Sequence, residues 1–446
     1  MFKRKSSTFF MTLVLVAAML FSACADTAER SSVSHTLMVY ICGSDLESVR
    51  GYASSNIADM LDADIPDGAD VVIQTGGSLE WKDERIPDAR SARFAIDDGS
   101  LTAVGDAFDA DMGESDTLAD FINFAKTNYP AEQYSLILWD HGTGSNGGVC
   151  YDELYADNCL TLPELSKAIA QSGLYFEFIG FDACLMATYD TVLALRDNAH
   201  FLVASQELEP GSGWDYSALS ALGHIDFYNI LLERYAEKQA HTTYYTLSVI
   251  DLTQSERLDV LNDYICQWIS LSPEQVATAT ENGMQFGAGE RGSASSGLYD
   301  MRFFAYNMGM NTVDFSDMIN TVNGSAREGA FGISIYFPQD EDELAAYSQV
   351  CEDSDYLSIL KSYYEREPAG GAIQFELPGF VFDNKMSFTL SADSLRYVRS
   401  VCYELHILND ETEQLFLYSI GVDNDILQAS AMFTVDFEGR WVWLGG

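Results

Sequence analysis

Two segments of the chain place a reactive side chain at the end of an apolar run. His141 follows the run in "LILWDHGTG", and Cys184 follows the run in "FIGFDACLM". An imidazole can accept the proton of a thiol, and the resulting thiolate is a strong nucleophile towards carbonyl carbon. A histidine and a cysteine held side by side therefore predict acyl transfer through a covalent intermediate.

Each of these residues by itself also has an ordinary structural interpretation. A cysteine after an apolar run is usually a buried thiol that only packs, and a single histidine beside a glycine is more often structural than catalytic. The pair is more specific, because both residues follow apolar runs in successive parts of the chain. The other histidines lack such a context and are predicted to be structural: His35, His200, His224, His241 and His406.

The elements that must position the pair follow a repeated strand–helix pattern. Apolar, β-branched runs predict buried strands, and stretches with one apolar helical face predict helices between them. The predicted strands cover 36–42, 70–76, 134–140, 176–182, 201–206, 244–252 and 331–337, and the predicted helices cover 48–63, 116–129, 161–173 and 184–196. This alternation predicts an α/β fold in which a mainly parallel sheet carries helices on both faces, an α/β/α sandwich.

Local signals refine the pattern. Asp98-Gly99 predicts the turn of a hairpin, and Thr161 with Glu164 forms a capping box at the start of a helix. After the Pro- and Gly-containing stretch 365–372, strands follow one another without helices between them. This change predicts a small C-terminal all-β domain over 371–446.

Geometry adds a prediction for the site. In an open parallel sheet, functional groups gather at the carboxyl ends of the strands, so His141 and Cys184 face each other if their strands are neighbours. We expect Cys184 to begin a helix, whose N-terminus would favour the thiolate. The backbone N–H groups of Gly142 and Cys184 would then form an oxyanion hole.

The N-terminus predicts export. Residues 1–24 combine a basic start with an apolar stretch shorter than the roughly 20 residues of a bilayer span. Their end, Phe-Ser-Ala-Cys, resembles a bacterial lipoprotein cleavage box, which predicts a lipoprotein signal peptide, lipidation of Cys24 and a polar tether over 25–34. The chain would then be lipid-anchored to a membrane of the bacterial cell envelope, on its outer face. An ordinary cleaved signal that contains a cysteine is the alternative.

The composition of the chain limits the classes of partner and metal that the sequence predicts. A formal net charge of −44 argues against nucleic acid and fits either cationic partners or a solvated acidic surface. The eight cysteines include no close CxxC pair, which argues against a zinc site. We expect mostly buried thiols, since a chain with a large core does not need disulfides. The acidic stretch 106–116 does not match a calcium loop.

Three motifs in order, "LILWDHGTG", "FIGFDACLM" and "ASQELEPGSGWDY" (204–216), resemble the clostripain family of cysteine peptidases, which belongs to the caspase-like group. The resemblance covers roughly residues 35–366 and implies a caspase-like peptidase domain there. It implies that His141 and Cys184 are the catalytic dyad. The family is often activated by cleavage after a basic residue between these two positions, yet the first Lys or Arg after His141 is Lys167, inside a predicted helix.

The resemblance also implies where substrate binds. Asp182 matches the family's acidic residue in the pocket for the side chain before the scissile bond, and Glu207 and Glu209 are candidates for the pocket wall. A partly shielded carboxylate needs a cation, and Arg offers a bidentate match that Lys cannot. Alternatively, Asp182 accepts hydrogen bonds from nearby backbone and only shapes the turn.

The sequence thus predicts a surface-anchored cysteine endopeptidase that cleaves peptide or protein substrates after Arg, then Lys. One alternative is a catalytically silent relative that binds peptides or surface polymers. Another is a solute-binding lipoprotein, although the two similar halves expected of one are not visible. No cofactor is required by the predicted chemistry. Some family members bind calcium, so a calcium site stays open, with no ligands placed.

Overall fold

The computed structural model describes residues 33–287, 296–310, 314–351 and 354–365, together with six strands within 380–443. The predicted signal peptide 1–24, its Cys24 and almost all of the predicted tether lie outside the described residues. Within the described residues, no helix combines the length and the apolar character that crossing a membrane requires.

Thirteen strands precede the C-terminal region in the part of the chain that the structure describes. They are β1 (Val33–Cys42), β2 (Ala69–Gly76), β3 (Ala92–Asp97), β4 (Ser100–Ala103), β5 (Ala131–Trp139), β6 (Val149–Asp152), β7 (Asn158–Leu160), β8 (Phe176–Asp182), β9 (Ala199–Ala204), β10 (Thr246–Asp251), β11 (Leu298–Asp300), β12 (Ile319–Asn323) and β13 (Ser334–Tyr336).

Helices connect these strands and follow them. They are α1 (Ser44–Ser48), α2 (Tyr52–Asp62), α3 (Ser115–Asn128), α4 (Leu162–Ser172), α5 (Tyr189–Leu195), α6 (Phe227–Lys238), α7 (Ser255–Cys266), α8 (Pro273–Asn282), α9 (Met301–Asn307), α10 (Glu341–Val350) and α11 (Asp355–Tyr364).

Nine strands form the central sheet, in the order β12-β10-β9-β8-β5-β1-β2-β3-β4. The five strands β9, β8, β5, β1 and β2 pair in parallel, and antiparallel strands extend the sheet on both sides. The predicted α/β class with a mainly parallel sheet is therefore confirmed. The predicted hairpin is β3–β4, which turns at Asp98 and Gly99, both with positive φ.

Two apolar layers enclose the sheet, as the alternation of side chains along a strand requires. On β1, Leu37 and Val39 pack into the layer formed with α2 and α6. Met38 and Tyr40 point to the opposite layer, with α3, α4 and α5. All four side chains are fully buried. This is the α/β/α sandwich that the sequence predicts.

Three local predictions need correction. The predicted helix 48–63 is two helices, because Gly51 adopts a left-handed φ of 71° between α1 and α2. The predicted strand 331–337 shortens to β13, which pairs with β11 in a separate two-stranded sheet. Gly332 precedes β13 with a φ of 106°, a value that interrupts regular strand geometry. The helix predicted to begin at Cys184 begins five residues later, at α5.

The C-terminal region contains only strands among its described residues. They are β14 (Phe380–Val381), β15 (Lys385–Thr389), β16 (Cys402–Asn409), β17 (Gln414–Val422), β18 (Met432–Asp436) and β19 (Val442–Trp443). All of their pairings are antiparallel: β14 with β19, β15 with β18, and β16 with β17. The prediction that residues 371–446 form a domain of their own stays a prediction.

Candidate active site

Strands β5 and β8 are parallel neighbours, as the convergence of the two motifs requires. Trp139 at the end of β5 lies opposite Asp182 at the end of β8. The backbone N–H of Asp140 donates to the backbone carbonyl of Asp182 at 3.3 Å. The segments that carry His141 and Cys184 therefore leave the sheet at the same edge, side by side.

Gly142 lies directly against the nucleophile turn. A Cβ added to Gly142 would lie 2.3 Å from the backbone oxygen of Cys184 and 3.2 Å from the Cβ of Ala183. Real Cβ atoms do not approach a carbonyl oxygen so closely, so only glycine fits this position without a backbone shift. The pairing of His and Gly in the first motif thus has a steric cause in the second motif.

Cys184 lies in an irregular turn between β8 and α5 rather than at a helix N-terminus. Leu185, the next residue, has a φ of 66°, which prevents a helix from starting there and costs a non-glycine residue conformational energy. The N–H of Leu185 donates to the backbone carbonyl of Glu207 at 3.2 Å, which holds the turn. The predicted stabilisation of the thiolate by a helix dipole is therefore wrong.

Burial instead keeps the Cys184 thiol protonated. It raises the pKa of Cys184 to about 12, and the negative charges of Glu209, Glu207 and Asp182 act in the same direction. One group opposes them: the backbone N–H of Glu209 donates to the sulfur at 3.2 Å. Formation of the thiolate thus requires a base that accepts the thiol proton.

Asp45 is the hydrogen-bond partner of His141. Its carboxylate lies 2.7 Å from Nε2 of the imidazole, and both side chains are exposed, Asp45 by 63% and His141 by 42%. Asp45 lies in α1, directly after β1, the strand next to β5. A carboxylate in this place fixes the orientation of the imidazole ring.

Asp140, just before His141, is a buried carboxyl group with two polar partners. Its oxygens accept hydrogen bonds from the Ser44 hydroxyl and from the Tyr151 N–H, each at 2.5 Å. Burial raises the pKa of Asp140 to about 7, although His141 and these donors oppose the shift. The contacts tie the strand end that carries His141 to the start of α1 and to β6.

Asp182 is buried in the structure, with 5% of its surface exposed. Its Oδ2 accepts hydrogen bonds from the Trp214 N–H at 3.1 Å and from the Tyr216 hydroxyl at 2.8 Å. Burial raises its pKa, while these donors lower it. Asp182 thus joins the nucleophile turn to the segment 204–216, which the resemblance placed at the substrate pocket.

Glu209 and Glu207 differ in their surroundings. Glu209 accepts a hydrogen bond from Trp214 Nε1 at 3.3 Å, and burial together with the charge of Asp182 raises its pKa well above the usual range. Glu207 is 3% exposed and forms an ion pair with Arg327. Both carboxyl groups lie around Cys184, but only Glu207 has a cationic partner in the described part of the chain.

The described residues contain no group of three or more His, Cys, Asp or Glu side chains arranged to hold a metal ion. The calcium site that the resemblance left open stays a prediction. Six cysteines with described side chains form no disulfide; Cys42, Cys150 and Cys351 are buried, and Cys159, Cys184 and Cys266 are half-buried.

Comparison with known proteins adds to this geometry. A profile of the clostripain family matches residues 39–367. The chain belongs to the clostripain family. Clostripain from Hathewaya histolytica is 31% identical over 130 residues, a match that covers 25% of this chain and 24% of that protein. The chain thus spans about a quarter of the length of this family member.

Solved structures support the same fold. A secreted C11 cysteine protease from Bacteroides thetaiotaomicron, in complex with an irreversible peptide inhibitor, superimposes with a TM-score of 0.57 at 18% identity, over 73% of this chain and 99% of that chain. An inactive zymogen C11 protease from Parabacteroides distasonis gives a TM-score of 0.54 at 18% identity, over 75% and 99%. The caspase-like fold predicted from the motifs is therefore confirmed.

Asp45 and Arg327 are among the residues of the site that were not predicted from the sequence. Asp45 carries a usable signal, since it follows a buried parallel strand next to that of His141, and such strand ends collect functional groups. Arg327 carries none: it lies 120 residues from its partner Glu207, in a 3-10 turn with no motif.

Proposed function

We propose that this protein is a cysteine endopeptidase that hydrolyses peptide bonds after basic residues, Arg in preference to Lys. The observation that carries the proposal is the convergence of the two motifs, with Gly142 pressed against the backbone of Cys184 at the common edge of β5 and β8. Family membership supports the same chemistry.

In the proposed mechanism, His141 accepts the thiol proton as Cys184 attacks the substrate carbonyl, and later donates a proton to the leaving amine. Asp45 holds Nε2 of the ring and stabilises the imidazolium that forms. The N–H groups of Gly142 and Cys184 stabilise the oxyanion. Neither amide donates to another group of the described chain, so both are available for this role.

The proposed preference for a basic residue rests on the charge around the nucleophile. Asp182 and Glu209 lie beside each other and beside Cys184, and their charges raise the pKa of the thiol. A substrate guanidinium that enters here would offset the negative charge of these carboxyl groups and so lower the pKa of the thiol. Its planar set of donors matches a carboxylate better than the donors of an ammonium group do. Glu207, also predicted to line the pocket, is already paired with Arg327.

Residues before the described chain support a proposal about location. The sequence 1–24 ends in a lipoprotein-type box, so Cys24 would carry the lipid that anchors the enzyme to a membrane of the cell envelope. Cys24→Ser should move the protein from the membrane fraction to the medium. Unchanged partition, without lipid on the N-terminal peptide by mass spectrometry, would refute the anchor.

The decisive experiment for the activity uses fluorogenic peptides that end in Arg, Lys, Asp or a neutral residue. Hydrolysis of the Arg peptide should be fastest, and Cys184→Ala and His141→Ala should each abolish it without unfolding the protein. Losing both should cost little more than losing one, because the two act as a unit. Cys266→Ala and His224→Ala are matched controls outside the site and should retain activity.

The results separate the alternatives. Peptide binding without hydrolysis by the unmutated chain would support the silent relative that binds peptides or surface polymers. Preferred cleavage after Asp would rule out a basic specificity while leaving the dyad intact. Full activity in Cys184→Ala would overturn the assignment of the nucleophile.

A further inference from the structure

The ion pair between Glu207 and Arg327 is largely enclosed by the protein and lies next to the turn that carries the nucleophile. The guanidinium donates from Nε to Oε2 at 2.5 Å, and the side chains are only 4% and 13% exposed. Arg327 also packs over the rings of Tyr244 and Phe286, at 5.0 and 5.4 Å from their centroids. Such enclosure holds the guanidinium in one orientation, unlike a solvent-exposed pair.

The second oxygen of Glu207 is occupied as well. Oε1 accepts hydrogen bonds from the Leu208 N–H at 2.8 Å and from the Gly287 N–H at 2.9 Å. The carboxylate is therefore satisfied on both sides by groups of the protein. To reach this carboxylate, a substrate cation would have to displace Arg327 from a largely enclosed site, which would leave the guanidinium without its partner.

The backbone around Glu207 holds the nucleophile turn. We call residues 205–209 the support segment. The backbone carbonyl of Glu207 accepts a hydrogen bond from the Leu185 N–H at 3.2 Å, and that of Ser205 accepts one from the Ala187 N–H at 2.9 Å. The support segment also provides the Glu209 N–H that donates to the sulfur of Cys184. The residues that follow the nucleophile, and the sulfur itself, are thus positioned by this one segment.

We propose that the Glu207–Arg327 ion pair is a positioning device for the Cys184 nucleophile, and that Glu207 does not contact substrate. Arg327 holds the side chain of Glu207 in one orientation, and the held side chain keeps the support segment in place. The support segment in turn positions the turn that carries the sulfur of Cys184. Arg327 also neutralises one of the three carboxylates around the thiol. This inference rests on the proposed peptidase function.

The two roles of Glu207 predict opposite effects for Arg327→Gln. If Glu207 is a positioning residue, the variant should lower kcat at least tenfold, leave the ratio of kcat/KM for Arg over neutral peptides unchanged, and slow alkylation of Cys184 by iodoacetamide at every pH tested. If Glu207 binds substrate, freeing its carboxylate should lower KM for the Arg peptide and raise that ratio. The second outcome would overturn the proposal.

The partner variant completes the test. Glu207→Gln keeps the shape of the side chain and should also lower kcat. In the double variant Glu207→Gln/Arg327→Gln no charge is left unpaired, so Cys184 should be alkylated at a rate within threefold of that in the unmutated protein. A double variant as slow as the slower single variant would refute the coupling. If Arg327→Gln does not fold, Arg327→Lys, which keeps the charge but not the fork of donors, should show the same defect in weaker form.

A matched control is available in Arg257→Gln. Arg257 likewise pairs with a carboxylate, that of Asp317, and packs over an aromatic ring, that of Phe315 at 5.0 Å. The described contacts of its side chain are with Asp314, Asp317 and Phe315, outside the support segment, so alkylation and kcat should not change. Because alkylation is measured without substrate, absence of hydrolysis by the unmutated chain would refute the proposed function, while the alkylation rates would still decide the role of the ion pair.

Discussion

Gly142 and Cys184 are in contact through their backbones, so tightly that a methyl group on Gly142 would lie 2.3 Å from the Cys184 oxygen. The backbone after His141 therefore packs directly against the backbone of the turn that carries Cys184. Any side chain at 142 must displace either the segment after His141 or the turn that holds the sulfur.

Gly142→Ala is accordingly expected to remove at least 99% of peptidase activity, since a misplacement of about 1 Å costs on the order of a hundredfold in rate. Gly173→Ala is a suitable control, because it introduces strain at a φ of 61° with no neighbour within 4 Å of the new methyl group. That variant should lose stability and keep its kcat. Comparable kcat values for the two variants would contradict the steric argument.

Asp45→Asn should lower kcat about ten- to a hundredfold with little change in KM, because a charge-assisted hydrogen bond contributes about 1.5–3 kcal/mol. The substitution keeps the size of the side chain and removes the charge that stabilises the imidazolium. Steady-state kinetics on an Arg peptide measures the effect. Asp226→Asn, beside the exposed His224, is the control for a surface His–Asp pair; equal effects at both sites would refute a positioning role for Asp45.

Asp182→Asn distinguishes the pocket from the turn. As a substrate ligand, Asp182 should support Arg peptides specifically, so its loss should lower their kcat/KM at least tenfold, or about 1.4 kcal/mol, and spare neutral peptides. As a turn residue that only accepts hydrogen bonds from Trp214 and Tyr216, it should affect Tm and all substrates alike. Kinetics on both peptide classes, combined with thermal unfolding, separates the two roles.

Asp140 predicts a pH-dependent contribution to stability. Its pKa is about 7 in the folded protein and 3.8 as the ordinary value, so the folded state holds the proton more tightly. Stability from this group is therefore fully present below about pH 4 and is lost as the pH rises towards 7, by about 4 kcal/mol at most.

Urea unfolding at pH 4.5 and pH 7.5 tests this sign. The free energy of unfolding of Asp140→Asn, relative to the unmutated protein, should rise between the two pH values. The exposed Asp116→Asn serves as control and should show no such change. A relative free energy that falls with pH would show that Asp140 is ionised in the fold throughout.

Activation is expected without a cut between the two motifs. Residues 142–166 contain no Lys or Arg, so an enzyme that cleaves after basic residues cannot process this segment itself. Purified active protein should therefore run as an uncut chain on a denaturing gel. A cut within 142–166 that appears together with activity would refute this expectation.

Much of the fold was predictable because it is encoded in local periodicity. Continuous apolar runs marked β1, β2, β5 and β8, and the capping box of Thr161 and Glu164 marked the start of α4. The start of α5 was misplaced for an equally physical reason. A left-handed φ at Leu185 is imposed by hydrogen bonds to the support segment, and no local propensity signals it.

The sequence by itself determined the residue types and the chemistry: a cysteine and a histidine, each after an apolar strand, with a glycine that only close packing explains. Tertiary structure decided the rest. It brought Asp45 into a hydrogen bond with His141 and buried Asp182 where it accepts hydrogen bonds from Trp214 and Tyr216. It also paired Glu207 with an arginine 120 residues further along the chain. Protonation and charge pairing depend on burial and on neighbours brought together by folding, and neither is written in the spacing of residues along the chain.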